Sequence, residues 1–169
     1  MYAFEYQRPD SVAKAVGALS GDARFLAGGQ SLVQSMKLRL SSSSTLVDLA
    51  SIDALRGISR DGASVKVGAM TRHSEVARSA DVRAAIPALA DLAGGIGDQM
   101  VRNMGTLGGS IANSDPAADY PAGVLGLGAT VQTDRRSIAA DDFFKDLFTT
   151  ALDDGELIVV VAHEDPGLP

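Results

Sequence analysis

Half of the glycines in this chain sit in one window. Nine of its 18 fall between Gly94 and Gly128, and two more form the pair Gly28-Gly29. Glycine at that density works against a long helix or a flat strand, because each one loses much backbone entropy on ordering and offers no side chain to pack. Something in both places therefore needs bare backbone. Hydrophobic residues make up 46% of the 169 positions and no fixed-period repeat occurs, so the glycines punctuate a globular α/β chain rather than a fibrous or disordered one.

The segments between the glycines carry ordinary element signals. Asp10 or Ser11 caps a helix with apolar Val12, Ala15, Val16 and Leu19, ended by Gly21. Phe25-Leu26-Ala27 reads as a strand broken by Gly28-Gly29, with a helix over Leu32, Val33, Met36 and Leu40. Ser41 to Ser44 is a loop and Thr45 to Leu49 a strand, so the first fifty residues predict a small parallel sheet joined by helices. Asp61-Gly62 predicts a type I′ hairpin between Gly57–Arg60 and Ser64–Ala69. Thr71 is expected to cap a short helix over Ser74–Ser79, and Pro87 to open another that Gly94-Gly95 stop. Tyr120 to Leu127 predicts a buried helix; Thr130–Thr133, Ser137–Ala139 and Glu156–Ala162 predict strands, with a turn at Asp134-Arg135-Arg136. The change of texture near residue 53 divides the chain into a small α/β part, 1–53, and a larger α+β part, 54–169.

Several function classes drop out. Without cysteine the chain itself holds no iron–sulfur cluster, thiolate-bound zinc or cysteine nucleophile. Its net charge of -6 and lack of a basic stripe argue against nucleic acid. The beginning MYAFEYQRPD has no signal-peptide pattern and no apolar run reaches a membrane span, so the expectation is a cytoplasmic protein with no integral membrane segment. GxGxxG after a strand, GxxxxGK[ST] and GxSxG are all missing. His73 and His163 lack clustered partners at metal spacing and read as surface residues. Asp141-Asp142 and Asp153-Asp154 read as cap and turn residues. No catalytic or metal-ligating residue is expected.

The first glycine segment is Phe25-Leu-Ala-Gly-Gly-Gln-Ser-Leu, and the second runs from Arg102 through Thr106, Gly108, Gly109, Ser110, Asn113 and Asp119 to Pro121. Consecutive N–H groups in a turn make a concave anion site, and a diphosphate suits it. Four to six such donors, at about 1.5 to 3 kcal/mol each, hold a charged cofactor without a lysine. A glycine pair after a strand is also an ordinary tight turn. That alternative is less economical for the second segment, where two glycine sites lie among hydroxyl, carboxamide and carboxylate groups.

The strings Ala27-Gly28-Gly29-Gln30-Ser31-Leu32 with Met36-Lys37-Leu38-Arg39, Val65-Lys66-Val67-Gly68-Ala69-Met70-Thr71, and above all Gln99 to Pro121, resemble the FAD-binding subunit or domain of molybdenum hydroxylases. These include the medium subunit of aerobic carbon monoxide dehydrogenase and the flavin domain of xanthine dehydrogenase. The resemblance implies a two-subdomain, PCMH-type FAD-binding fold of the α+β class, with a small parallel-sheet subdomain, a larger mixed-sheet one, and FAD between them. It implies cofactor contacts from Leu26, Ala27, Gly28, Gly29, Gln30, Ser31 and Leu32, and from Thr106, Leu107, Gly108, Gly109, Ser110, Asn113 and Asp119. Gly28, Gly29, Gly108 and Gly109 are expected to offer N–H groups, Ser31 and Thr106 hydroxyls, and Asp119 an acceptor for sugar or ribityl hydroxyls.

It further implies an electron-transfer subunit of a heterotrimer, an oxidoreductase component that takes electrons from an iron–sulfur small subunit and passes them to an external acceptor. A large subunit would hold the molybdenum cofactor. The missing cysteines agree with that division of labour. The C-terminal domain usual in the family is expected to be absent from these 169 residues, and Met104 stands where relatives often have arginine. Two other functions compete on the same residues: an assembly module that holds flavin weakly, and a free-standing FAD oxidoreductase.

Overall fold

A computed structural model describes residues 1–62 and 64–164. The first part holds β1 (Glu5–Gln7), α1 (Val12–Gly17), β2 (Ala23–Leu26), α2 (Leu32–Lys37) and β3 (Thr45–Asp48). Its sheet has the order β1-β3-β2 with both pairings parallel, as the helix-joined strands predict. β1 has no sequence signal, because all three of its residues are exposed and no alternation marks a buried face. Ser11 caps α1 through its hydroxyl, which accepts from the Lys14 amide at 3.4 Å, and the helix ends at Gly17, before the expected Gly21.

Two short 3-10 turns, Leu49–Ser51 and Asp53–Leu55, lead to β4 (Ile58–Asp61) and β5 (Ser64–Gly68). Asp61, expected in the turn, instead ends β4 and pairs with Ser64, and Gly62 follows it with a φ of 59°; residue 63 lies outside the described residues. Helices α3 (His73–Arg78), α4 (Ala80–Ala85), α5 (Pro87–Gly95), α6 (Gln99–Met104), α7 (Leu107–Asn113) and α8 (Asp119–Gly126) follow. Thr71 does not cap α3. Its buried hydroxyl exchanges two 3.0 Å bonds with the backbone of Gly57, while the Arg72 amide donates to the Glu75 carboxylate at 2.8 Å. The chain closes with β6 (Thr130–Thr133), β7 (Ser137–Ala139), α9 (Ala140–Phe143), β8 (Phe144–Asp146), β9 (Thr149–Thr150) and β10 (Ile158–Glu164).

The larger sheet has the order β4-β5-β10-β6-β7. All its pairings are antiparallel, where a mixed sheet was expected. The reason is the placement of β10. β5 and β6 run the same way, as a helical crossover demands, but β10 inserts between them and is antiparallel to both.

The main core lies between this sheet and the helices, with Val65, Val67, Val131 and Val161 of the strands against Leu89, Leu107, Ile111, Tyr120 and Val124. A second cluster, with Ala15, Val47, Leu55, Met70 and Leu157 among its members, joins the small sheet to the larger part.

His163 is a correction to the sequence reading. It is fully buried on β10 opposite Val65, and neither ring nitrogen has a hydrogen-bond partner among the described residues. Burial pushes its pKa down from 6.5 to about 4. A depressed histidine contributes stability above pH 6.5 that is lost as pH falls toward 4. Leucine removes two orphaned polar atoms at similar volume. His163→Leu is expected to raise the melting temperature at pH 7 by about 2–4 °C, equivalent to roughly 1 kcal/mol. The gain should widen between pH 6.5 and 4 in thermal melts; a loss of stability at both pH values would contradict the burial argument.

Candidate functional site

Between the two sheets lies a cleft of about 480 Å³. One wall is the loop from β2 into α2. Gly29 takes a left-handed φ of 72°, and Ser31 starts α2 without making a side-chain cap bond. The carbonyls of Gly29 and Ser31 accept from Val33 and Ser35, at 3.2 and 3.0 Å. Among the described residues, none accepts from the amides of Gly28, Gly29, Gln30, Ser31 or Leu32. Five successive donors around a left-handed glycine form a nest suited to an anion.

The opposite wall is the turn between α6 and α7 with the first residues of α7. It is fastened to the end of β5: the His73 amide donates to Gly105 O at 3.1 Å, Leu107 to Thr71 O at 3.1 Å, and Gly108 to Ala69 O at 2.8 Å. The Thr106 hydroxyl caps α7 by accepting from the Gly109 amide at 3.2 Å. The amides of Gly108 and Gly109 are thus committed within the protein, which corrects the expectation that they face a ligand. A helix start consumes its own amides once it is capped and seated on a neighbouring backbone.

Bare backbone in these segments serves chain packing first. A Cβ on Gly28 would lie 2.2 Å from Met104 O and 2.8 Å from Gly105 Cα, so the two loops meet directly there. On Gly108 it would lie 2.6 Å from Ala69 Cβ, and on Gly105 2.4 Å from Nε2 of His73.

Of the residues singled out in the sequence, Ala27 to Leu32 line the cleft, as do Thr106, Gly108, Gly109, Ser110 and Asn113. Leu26, Leu107 and Asp119 do not line it. Leu107 is fully buried in the main core, and Asp119 is exposed at the first turn of α8. Arg102 does not line the cleft; it donates to the carbonyls of Ile96 and Gly97, just after α5, at 3.0 and 2.8 Å.

Arg24, Met70, His73, Glu156 and Leu157 are lining residues that the sequence reading missed. Arg24, a lone cation four residues before Gly28, carried the one usable signal; His73, expected at the surface, carried none. His73 is only 4% exposed, and burial lowers its pKa to about 4 against the raising pull of Asp119.

Glu156 is equally buried, but its carboxylate accepts from Arg136 Nε and Nη2 at 3.0 and 2.8 Å, the Thr133 hydroxyl at 2.7 Å and the Asp153 amide at 2.8 Å. Those donors, Arg136 first, hold its pKa down to about 2, which suits an anchor rather than an acid or base.

The family of FAD binding domains in molybdopterin dehydrogenases matches residues 2–162. The chain belongs to this family. The carbon monoxide dehydrogenase medium chain of Hydrogenophaga pseudoflava is 41% identical over 165 residues, covering 94% of this chain and 58% of that one. The glyceraldehyde dehydrogenase medium chain of Sulfolobus acidocaldarius is 38% identical over 164 residues, with the same coverage of 94% and 58%. Among solved structures, quinoline 2-oxidoreductase from Pseudomonas putida 86 superposes with a TM-score of 0.96 at 38% identity, over 99% of this chain and 61% of that one. The chain thus spans 58% of the length of the curated relatives named here.

The residues of this FAD-binding domain fit the cofactor. Five amides without acceptors among the described residues provide the anion-binding feature a diphosphate needs, and Arg24 adds a cation to a cleft on a protein of net charge -6. Ser31, Ser110 and Asn113 supply neutral polar groups, while Leu49, Met70, Ile96 and Leu157 give apolar lining for ring systems. A volume of about 480 Å³ lies within the range of roughly 300–1,000 Å³ usual for cofactor pockets. Among the described residues no group of three or more His, Cys, Asp or Glu could hold a metal, and no helix is long and apolar enough to cross a membrane.

Proposed function

We propose that this chain binds FAD in the cleft between its two sheets and serves as the electron-transfer flavin component of a cytoplasmic molybdenum-containing dehydrogenase. Its partners are an iron–sulfur small subunit, from which electrons arrive, and a large subunit holding the molybdenum cofactor; electrons leave to an external acceptor. The observation that carries this reading is the run of five free amides from Gly28 to Leu32 facing the wall of Thr106 to Asn113. Ala27, Gly28, Gly29, Gln30, Ser31 and Leu32 hold the diphosphate by backbone, while Thr106, Ser110 and Asn113 orient the remainder. The same proposal divides the chain into subdomains near residue 53, with Leu26 and Leu107 supporting the binding loops from behind and Asp119 exposed at the start of α8. Leu26 does so beside Gly29, where an added Cβ would lie 3.5 Å from its Cδ1.

Bound FAD supplies the redox chemistry; this chain's residues bind it, orient it and set its surroundings, with no acid–base residue required. The absence of cysteine in the sequence supports a cluster held by a partner. The names of relatives as medium chains support membership of a multi-subunit assembly. A visible spectrum of the purified, FAD-reconstituted chain, with the released flavin identified after denaturation, tests the binding step. Stoichiometric FAD is expected; a folded chain that takes up none overturns it. Co-purification with iron–sulfur and molybdenum subunits tests the assembly, and reduction by a small substrate without partners would instead favour a free-standing oxidoreductase.

A further inference from the structure

Among the described residues, two buried polar atoms beside the cleft find no hydrogen-bond partner: Nδ1 of His73 and the hydroxyl of Tyr120. Their rings are neighbours, with centroids 5.2 Å apart and an interplanar angle of 49°. Tyr120 is fully buried on α8 and His73 is 4% exposed at the start of α3, so neither atom reaches bulk water. Their hydrogen-bonding capacities are complementary. A phenol donates, and an unprotonated ring nitrogen accepts. A small ring rotation or one enclosed water between them would satisfy both atoms.

The other edge of the imidazole borders the cleft, with Nε2 against Gly105, and Gly105 in turn abuts Gly28 at the head of the free amides. We propose that Tyr120 and His73 form a positioning pair in which the tyrosine hydroxyl fixes Nδ1 as an acceptor, so that His73 presents a neutral Nε2–H donor to an oxygen of the bound dinucleotide beside the Gly28 amide. The tautomer of an imidazole is set by the bond its second nitrogen makes, and here that partner lies on the side away from the ligand. His73 is then a binding residue and Tyr120 acts only through it. Burial keeps the ring uncharged, since its pKa lies near 4 despite Asp119, so the donor is present throughout the neutral range. The inference rests on the cleft taking FAD.

The test compares FAD dissociation constants, by flavin fluorescence, for the wild-type chain and for His73→Leu, His73→Gln and Tyr120→Phe, together with the thermal melts of the FAD-free proteins. His73→Leu is expected to weaken FAD about tenfold. His73→Gln, whose amide nitrogen can occupy the Nε2 position, should stay within about threefold of wild type. Tyr120→Phe should fall between them. A merely structural role would move affinity and melting together, whereas here the Leu and Gln variants melt alike and bind differently. Nitrogen-15 NMR of the wild type provides the second readout and does not depend on any variant folding: the Nε2–H tautomer is expected, and an Nδ1–H tautomer overturns the proposal. Equal FAD affinity in wild type and His73→Leu overturns it as well while leaving the cleft intact. Failure of the wild type itself to bind FAD sinks the reading of the cleft and this inference with it.

Discussion

Gly28→Ala is expected to remove FAD from this protein. The new methyl group would sit 2.2 Å from Met104 O and 2.8 Å from Gly105 Cα, both backbone atoms that no side-chain rotation can clear. Either the loop after β2 or the turn before α7 must retreat, and overpacking of this kind costs about 1–3 kcal/mol. The melting temperature should therefore fall by roughly 3–10 °C. The binding effect is larger than the stability effect, because the displaced loop carries all five free amides and the turn carries the opposite wall. Losing two hydrogen bonds to an anion, at about 1.5 to 3 kcal/mol each, weakens binding on the order of a hundredfold or more. Gly126→Ala is the control. It lies at the end of α8 with nothing within 4 Å of an added Cβ, and it should leave flavin content unchanged. Full flavin retention in Gly28→Ala would show that the contact between the loops is not what shapes the cleft.

This prediction also marks where sequence and structure part. The need for bare backbone was legible at both glycine segments, with a tight turn or a ligand as its purpose; contact between two chain segments left no mark in the sequence. Only the coordinates divide those purposes. At Gly28, Gly105 and Gly108 the neighbour is the protein itself, and the run of successive backbone amides left for an anion, Gly28 to Leu32, lies in the first glycine loop. The small parallel sheet was readable because glycine and serine loops bracket Phe25-Leu26 and Thr45–Leu49, and α5 because proline opens it and glycines close it.

α7 was hidden for the opposite reason. Two glycines in its first three residues mask a helix that Thr106 caps and Ala69 receives. β10 was visible as an apolar run, but its place between β5 and β6 was not, since pairing partners some thirty and ninety residues away leave no local mark. His73 and His163 went wrong through a rule about residue type: most lone histidines lie outside, and these two are buried, at the cleft and on β10, with Nδ1 of the first and both ring nitrogens of the second unpartnered among the described residues.

Glu156 shows how the far end of the chain reaches the cleft, and its removal should have a pH-dependent cost. Its carboxylate ties the β6–β7 turn, through Arg136 and Thr133, to the segment leading into β10. Arg136 also holds Ala151 O at 2.7 Å and the Asp153 carboxylate at 3.2 Å, and Leu157 and Ile158, next in sequence after Glu156, line the cleft. In Glu156→Gln the amide nitrogen meets donors, so at least one of four bonds becomes a clash and the charge opposite Arg136 disappears.

The folded carboxyl titrates near 2 against 4.5 when unperturbed, so its contribution is complete above about pH 4.5 and is lost as pH falls toward 2. Solvent around Arg136, whose side chain is 44% exposed, trims that contribution to about 2 kcal/mol. Urea melts should therefore place Glu156→Gln about 2 kcal/mol below wild type at pH 7, with the gap closing progressively between pH 4.5 and 2. Both histidines titrate in both proteins, so their losses below pH 6.5 cancel in the difference. A gap that stays constant on acidification would mean that Glu156 contributes shape alone. A closing gap, accompanied by a severalfold weaker hold on FAD at pH 7, would mean that the charge pair positions the Leu157–Ile158 wall.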